Sequence, residues 1–112
     1  MSTPRLNVKL VLEAARREDD GGGGFAQVWR KAGILWAEMR AGSGRERFGE
    51  VGPESVVPWR ITVRGAPQGD PRRPVAGNRL RLGQRLFQIN AVAERDARGL
   101  WLTCIAQEEN LP

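Results

Sequence analysis

Apolar residues fall on every second position along most of this chain, a period that suits strands and is wrong for helices. Leu6, Val8, Leu10, Leu12 and Ala14 alternate with Asn7, Lys9 and Glu13, and Val57, Trp59, Ile61 and Val63 alternate with Pro58, Arg60, Thr62 and Arg64. Each run buries one face and wets the other, as antiparallel sheets do. Between these runs Phe25 restarts the apolar signal, and the stretch from Ala26 to Arg40 is long for one strand. Gly33 near its middle predicts a bulge or bend where the strand changes partner. Arg79 to Leu82 and Arg85 to Ala93 flank Gly83-Gln84, a two-residue turn with glycine first, and Asp96 to Gly99 turns the chain into a last strand over Gly99 to Gln107.

The breaks are as informative as the strands. Glu18-Asp19-Asp20 and the glycines Gly21 to Gly24 cannot bury anything and read as a loop. Ala41 to Ser55 is far longer than the 2 to 5 residues, roughly, that a hairpin needs. Its stretch Arg45 to Glu50 holds enough helix formers for a turn or two before Gly52-Pro53 stops it. A second long connection, 65–78, carries three prolines and three glycines, and the tail 108–112 is expected to be loose. Six short strands, one short helix and two long loops predict an all-β fold, a small antiparallel barrel or sandwich. At 112 residues the chain makes one domain, 1–112, with a modest core.

Charge is unevenly spread. Residues 60–85 hold seven arginines (Arg60, Arg64, Arg72, Arg73, Arg79, Arg81, Arg85) against one acid, Asp70, while the remainder has 11 basic and 12 acidic residues. The whole +5 excess therefore sits in one stretch. Arginine grips phosphate or carboxylate with a planar fork, so this stretch, and Arg64, Arg72 and Arg73 in particular, could meet DNA or an acidic protein surface. Alternating arginines are equally the solvated face of a strand. Trp29, Trp36, Trp59 and Trp101 sit inside alternating runs, which points to core or subunit-interface positions rather than base-stacking platforms.

The residues needed for catalysis are missing. The chain has no histidine and a single cysteine, Cys104, flanked at period two by Leu102 and Ala106 as a small buried hydrophobe would be. The adjacent acids Asp19-Asp20 and Glu108-Glu109 fall in segments expected to be flexible, where nothing would tune them as acid and base. One thiolate without imidazole does not make a zinc site. Gly42-x-Gly44 has Arg47 where a dinucleotide fingerprint needs its third glycine, and Gly21 to Gly24 lack the lysine and hydroxyl of a phosphate loop. No enzymatic activity and no cofactor are expected. No apolar stretch approaches the roughly 20 residues of a membrane span, and Met1-Ser2-Thr3-Pro4-Arg5 lacks a signal-peptide core, so a soluble, cytosolically made protein is expected.

The order of these features resembles one known family. A first strand, the turn Asp19-Asp20-Gly21-Gly22, Trp29, then Trp36-Ala37-Glu38, the break Ser43-Gly44-Arg45-Glu46, Arg60-Ile61-Thr62-Val63-Arg64, and Gly77-Asn78-Arg79-Leu80-Arg81 leading to Arg85-Leu86-Phe87-Gln88-Ile89 resemble the phage head-tail joining family. These are the head-completion or stopper proteins of tailed phages and gene transfer agents. Gly23 and Gly24 extend the usual turn, and the 65–78 connection is longer and richer in proline than that pattern. The resemblance implies a barrel protomer in a six-membered ring, with the portal or adaptor protein above it and the tail terminator or tail tube below. Such a ring sits at the particle neck, is assembled in the bacterial cytoplasm and surrounds packaged double-stranded DNA. The 41–55 loop would project into that channel and gate it, with Arg45 and Arg47 facing DNA and Phe48 packing between loops. A loop that only caps the barrel or docks on a neighbour is the simpler alternative. Two other functions stay open: a tail-terminator or adaptor ring of the same particle, and a free-standing nucleic-acid-binding barrel.

Overall fold

A computed structural model describes residues 3–42 and 57–109 of the chain. Six strands follow in order: β1 (Val8–Asp19), β2 (Phe25–Ala41), β3 (Trp59–Arg64), β4 (Arg79–Leu82), β5 (Arg85–Glu94) and β6 (Trp101–Glu108). All pairings are antiparallel, and the sheet closes in the order β1-β2-β3-β6-β5-β4, with β4 sealing against β1 through Val11↔Arg81, Leu12↔Leu80 and Glu13↔Arg79. The all-β expectation holds, and of the two architectures left open the closed barrel is the one observed. The short helix expected at Arg45 to Glu50 lies outside the described residues, as does most of the 41–55 loop.

Every strand contributes inward-facing side chains at period two. Leu10 and Leu12 of β1, Ala37 of β2, Ile61 and Val63 of β3, Leu80 of β4, Phe87 and Ile89 of β5, and Leu102, Cys104 and Ala106 of β6 form one buried cluster. Trp59 packs against it, its ring edge-on to Phe87 at 5.6 Å and 80°. That arrangement adds about 1 kcal/mol to the burial of the two rings.

One bulge decides which residues face outward. Leu12 pairs with Gly33 but Glu13 pairs with Lys31, so Ala32 is an extra residue on β2. Gly33 thus marks a bulge, as its place in the sequence predicts, although β2 takes up its second partner later, at Ala37. An extra residue reverses the side-chain phase of everything before it. Trp29, which shares odd numbering with the inward Ala37, is therefore turned to the outer face it shares with Glu13 and Arg79.

The β1–β2 hairpin outruns the barrel. Strand β4 covers β1 only at 11–13 and β3 covers β2 only from Ala37, so Ala14–Asp19 and Phe25–Arg30 form a two-stranded arm with no further neighbour. The loop expected from Glu18 begins instead at Asp20. Asp20 Oδ1 accepts N–H bonds from Gly22 (2.8 Å) and Gly24 (3.1 Å), and Asp19 Oδ1 accepts one from Gly21 (2.9 Å). Gly21 and Gly23, at φ of 83° and 86°, adopt the left-handed backbone that this turn requires.

The 65–78 connection is irregular yet tightly tied. Asp70 accepts the Arg72 N–H, the Arg73 guanidinium donates to the Ala66 carbonyl, Asn78 accepts the Val75 N–H, and Pro74 is fully buried. The tail is less loose than expected: Glu108 pairs with Phe87, and the Glu109 N–H donates to the Leu86 carbonyl. Residues 110–112 lie outside the described residues.

Candidate assembly interface

Most of the basic stretch is engaged within the barrel. Arg79 and Arg81 face β1 across the closing seam, and both donate to the Glu13 carboxylate, Arg79 from Nε at 2.5 Å and Arg81 from Nε at 3.2 Å. Only 13% of the Arg79 and Glu13 side chains is exposed, so this is a sheltered ion triad rather than a solvated face. Burial disfavours the Glu13 charge, and the bonds and positive charges of the two arginines outweigh it, holding the carboxyl below its usual range. The same Arg79 lies over the Trp29 ring at 4.2 Å. Arg85 forks onto Glu108 through Nε and Nη2 at 2.7 and 2.9 Å. That hydrogen bonding lowers the Glu108 carboxyl and raises the Arg85 guanidinium.

Of the three arginines singled out for contact with DNA or an acidic partner, Arg73 is tied to the Ala66 carbonyl. Arg72 lays its stem across Gly33, where a β-carbon would meet its Cγ at 2.7 Å, and leaves its guanidinium exposed, 3.7 Å from Asp70. Arg64 lies over the Trp101 ring at 5.2 Å. Arg64 and Arg72 thus both border β2 between Gly33 and Trp36. Arg45, Arg47 and Phe48 lie outside the described residues.

The tryptophans divide. Trp59 packs on the core, Trp29 and Trp101 are half-buried under arginines, and Trp36 is 52% exposed. Trp36 lines a groove of about 410 Å³ with Leu6, Ile34, Leu35 and Arg64. Ile34 is also exposed, at 41%, so the outer face of β2 presents apolar surface where an isolated barrel would present polar residues. Ile34 and Leu6 carry no motif of their own. Their signal was the unbroken run Ile34-Leu35-Trp36-Ala37, apolar on both faces of a strand, which one-sided burial does not explain.

Phe25, 65% exposed at the arm's end, is the most exposed large apolar residue among those described, ahead of Leu100 and Val75, with Arg17 over its ring at 4.7 Å. Chemistry is sparse by comparison. Burial pushes the Cys104 thiol up to about 12, so it stays protonated and inert. Among the described residues no group of three His, Cys, Asp or Glu could hold a metal ion, and no helix is long and apolar enough to cross a membrane.

Comparison with known proteins gives this surface a context. No curated protein matches the chain significantly. A chain from the virion of a native gene transfer agent particle is 51% identical, with a TM-score of 0.80, over 98% of this chain and 100% of that one. A protein from Shigella flexneri 2a, solved in solution, shares the fold at a TM-score of 0.73 and 20% identity, with both chains fully covered. Residues 1–109 match the family described as phage head completion protein. With a match that spans all six strands of the barrel, the chain belongs to the phage head completion protein family.

Proposed function

We propose that this protein is a non-catalytic connector of a phage-like particle, a ring of barrels seated at the neck between portal or adaptor and tail. The observation that carries this reading is the end-to-end 51% identity to a chain of a gene transfer agent virion. An apolar outer groove fits a subunit whose surface is completed by other proteins. In this reading the ring has six members, is assembled in the bacterial cytoplasm, and surrounds packaged double-stranded DNA. The 41–55 loop reaches the channel, where Arg45 and Arg47 hold phosphate without reading bases and Phe48 packs between loops.

The free-standing nucleic-acid module is weaker on one specific ground. Arg79, Arg81 and Arg85 hold carboxylates of the barrel itself, which leaves less positive surface for phosphate than the sequence displays. Deleting the gene in the producing cell tests the connector directly. Electron microscopy should show DNA-filled heads and separate tails that fail to join, with loss of infectivity or gene transfer. Joined, fully active particles from the deletion strain would sink the reading. For the loop, an Arg45→Glu/Arg47→Glu variant should leak DNA from otherwise normal particles, and unchanged retention would remove the gating role while leaving the ring.

A further inference from the structure

We propose that copies of this chain join head to tail by inserting the tip of the β1–β2 arm of one subunit into the Trp36 groove of the next. The inference rests on the ring reading above and names the contact that builds it.

Three observations converge on this contact. Beyond Trp29, which lies under Arg79 at its base, the arm adds nothing to its own barrel: no residue of Ala14–Asp19 or Phe25–Arg30 belongs to the core cluster. A two-stranded ribbon of this kind is marginal alone in water. This one nevertheless carries a specified turn and displays Phe25 at its end, which is the form of a knob awaiting a socket. The Trp36 groove is a socket of matching chemistry, apolar along Leu6, Ile34 and Trp36. Charge matches as well. The acids left for a partner are Asp19 and Asp20 at the turn, since Glu18 is paired with Arg30 and Arg17 lies over Phe25; on the groove side Arg64 lines the pocket and Lys9 faces Trp36 across the ladder on the same outward face.

Geometry excludes a contact within one subunit. Phe25 and Trp36 lie on the same strand, eleven positions apart, and at about 3.4 Å per residue that separates them by roughly 35 Å. A subunit cannot place its own tip in its own groove. Tip and groove are different patches, so the contact is heterologous, and repeated head-to-tail contacts of this kind either close a ring or run on as a filament.

The test uses assembled particles carrying a Phe25→Cys/Trp36→Cys double variant. Cys104 is buried and takes no part. Mild oxidation should give a ladder of covalent multimers on a non-reducing gel, while either single variant gives none. Dimers from a single variant would mean like patches meet and would overturn the proposal. So would adducts to a different particle protein, or no adducts in particles that contain the chain, and either result leaves the connector reading standing. Wild-type particles lacking the chain would instead overturn the connector reading itself. Should the double variant fail to fold, Phe25→Ser serves. It should keep the thermal midpoint and weaken self-association about tenfold or more, as loss of a central aromatic anchor does. Undiminished assembly of that variant would overturn the arm contact.

Discussion

At Gly65 the chain turns out of β3 and donates its N–H to the Leu100 carbonyl at 2.7 Å, passing so close to the β5–β6 turn that a β-carbon would lie 2.0 Å from the Gly99 carbonyl oxygen. Both partners are backbone, so no side chain can swing away. Gly65→Ala should therefore destabilise the barrel by about 3 kcal/mol, the upper part of the overpacking range, read as a lowered urea midpoint. The same substitution at Gly69, which meets nothing within 4 Å, should cost only the backbone strain of its positive φ, about 1 kcal/mol. Glu13 makes the second prediction at this scale. Its folded-state carboxyl sits below the unfolded value, so the stabilisation is complete above an unfolded pKa of about 4.3 and drains away as pH falls through the folded one. Glu13→Gln should cost about 2 kcal/mol at pH 7, because it leaves Arg79 sheltered without its counter-ion. The same variant should flatten the acid limb of stability against pH, and an unchanged limb would count against the triad. Neither site was legible in the sequence. Gly65 is one of fourteen glycines, and Glu13 meets Arg79 across 66 residues of chain.

Elements were easier to read than their ends. Period-two patterning placed all six strands because each has one face in a single apolar core, which physics enforces residue by residue. Patterning failed where the core stops. Arg16 to Asp19 are hydrophilic, and they are strand only because the β1–β2 ladder continues beyond the barrel on backbone hydrogen bonds. The bulge at Ala32 hid the direction of Trp29 for a related reason, since one extra residue changes the face without changing composition. The arm's exposed ladder has a dynamic consequence. Its amides should exchange with deuterium well before those of β3 and β6, which are paired on both sides and line the core with one face. If arm and barrel amides exchange together in the free protein, the arm is held by something other than its own hairpin. If the neighbouring groove receives the arm as proposed, the amides of the arm's tip should become protected in assembled particles.

At the scale of the whole molecule, the composition reported an excess of arginine whose meaning the fold changed. Arg79, Arg81 and Arg85 looked like part of a surface for phosphate, and closure of the barrel set them against Glu13 and Glu108. Long-range pairing of this sort is invisible to local patterning because it depends on which strands become neighbours. What β2 itself displays is an apolar groove on one part and an aromatic knob on another. On the proposed reading, knob and socket on opposite reaches of one strand let the barrel repeat head to tail, as a connector ring would require. A density map of the assembled particle tests this most directly. The account predicts copies of this barrel in a closed ring at the neck around the DNA channel, each arm seated against the Trp36 groove of its neighbour. A barrel found elsewhere in the particle, or present as a single copy with its arm in solvent, would contradict it.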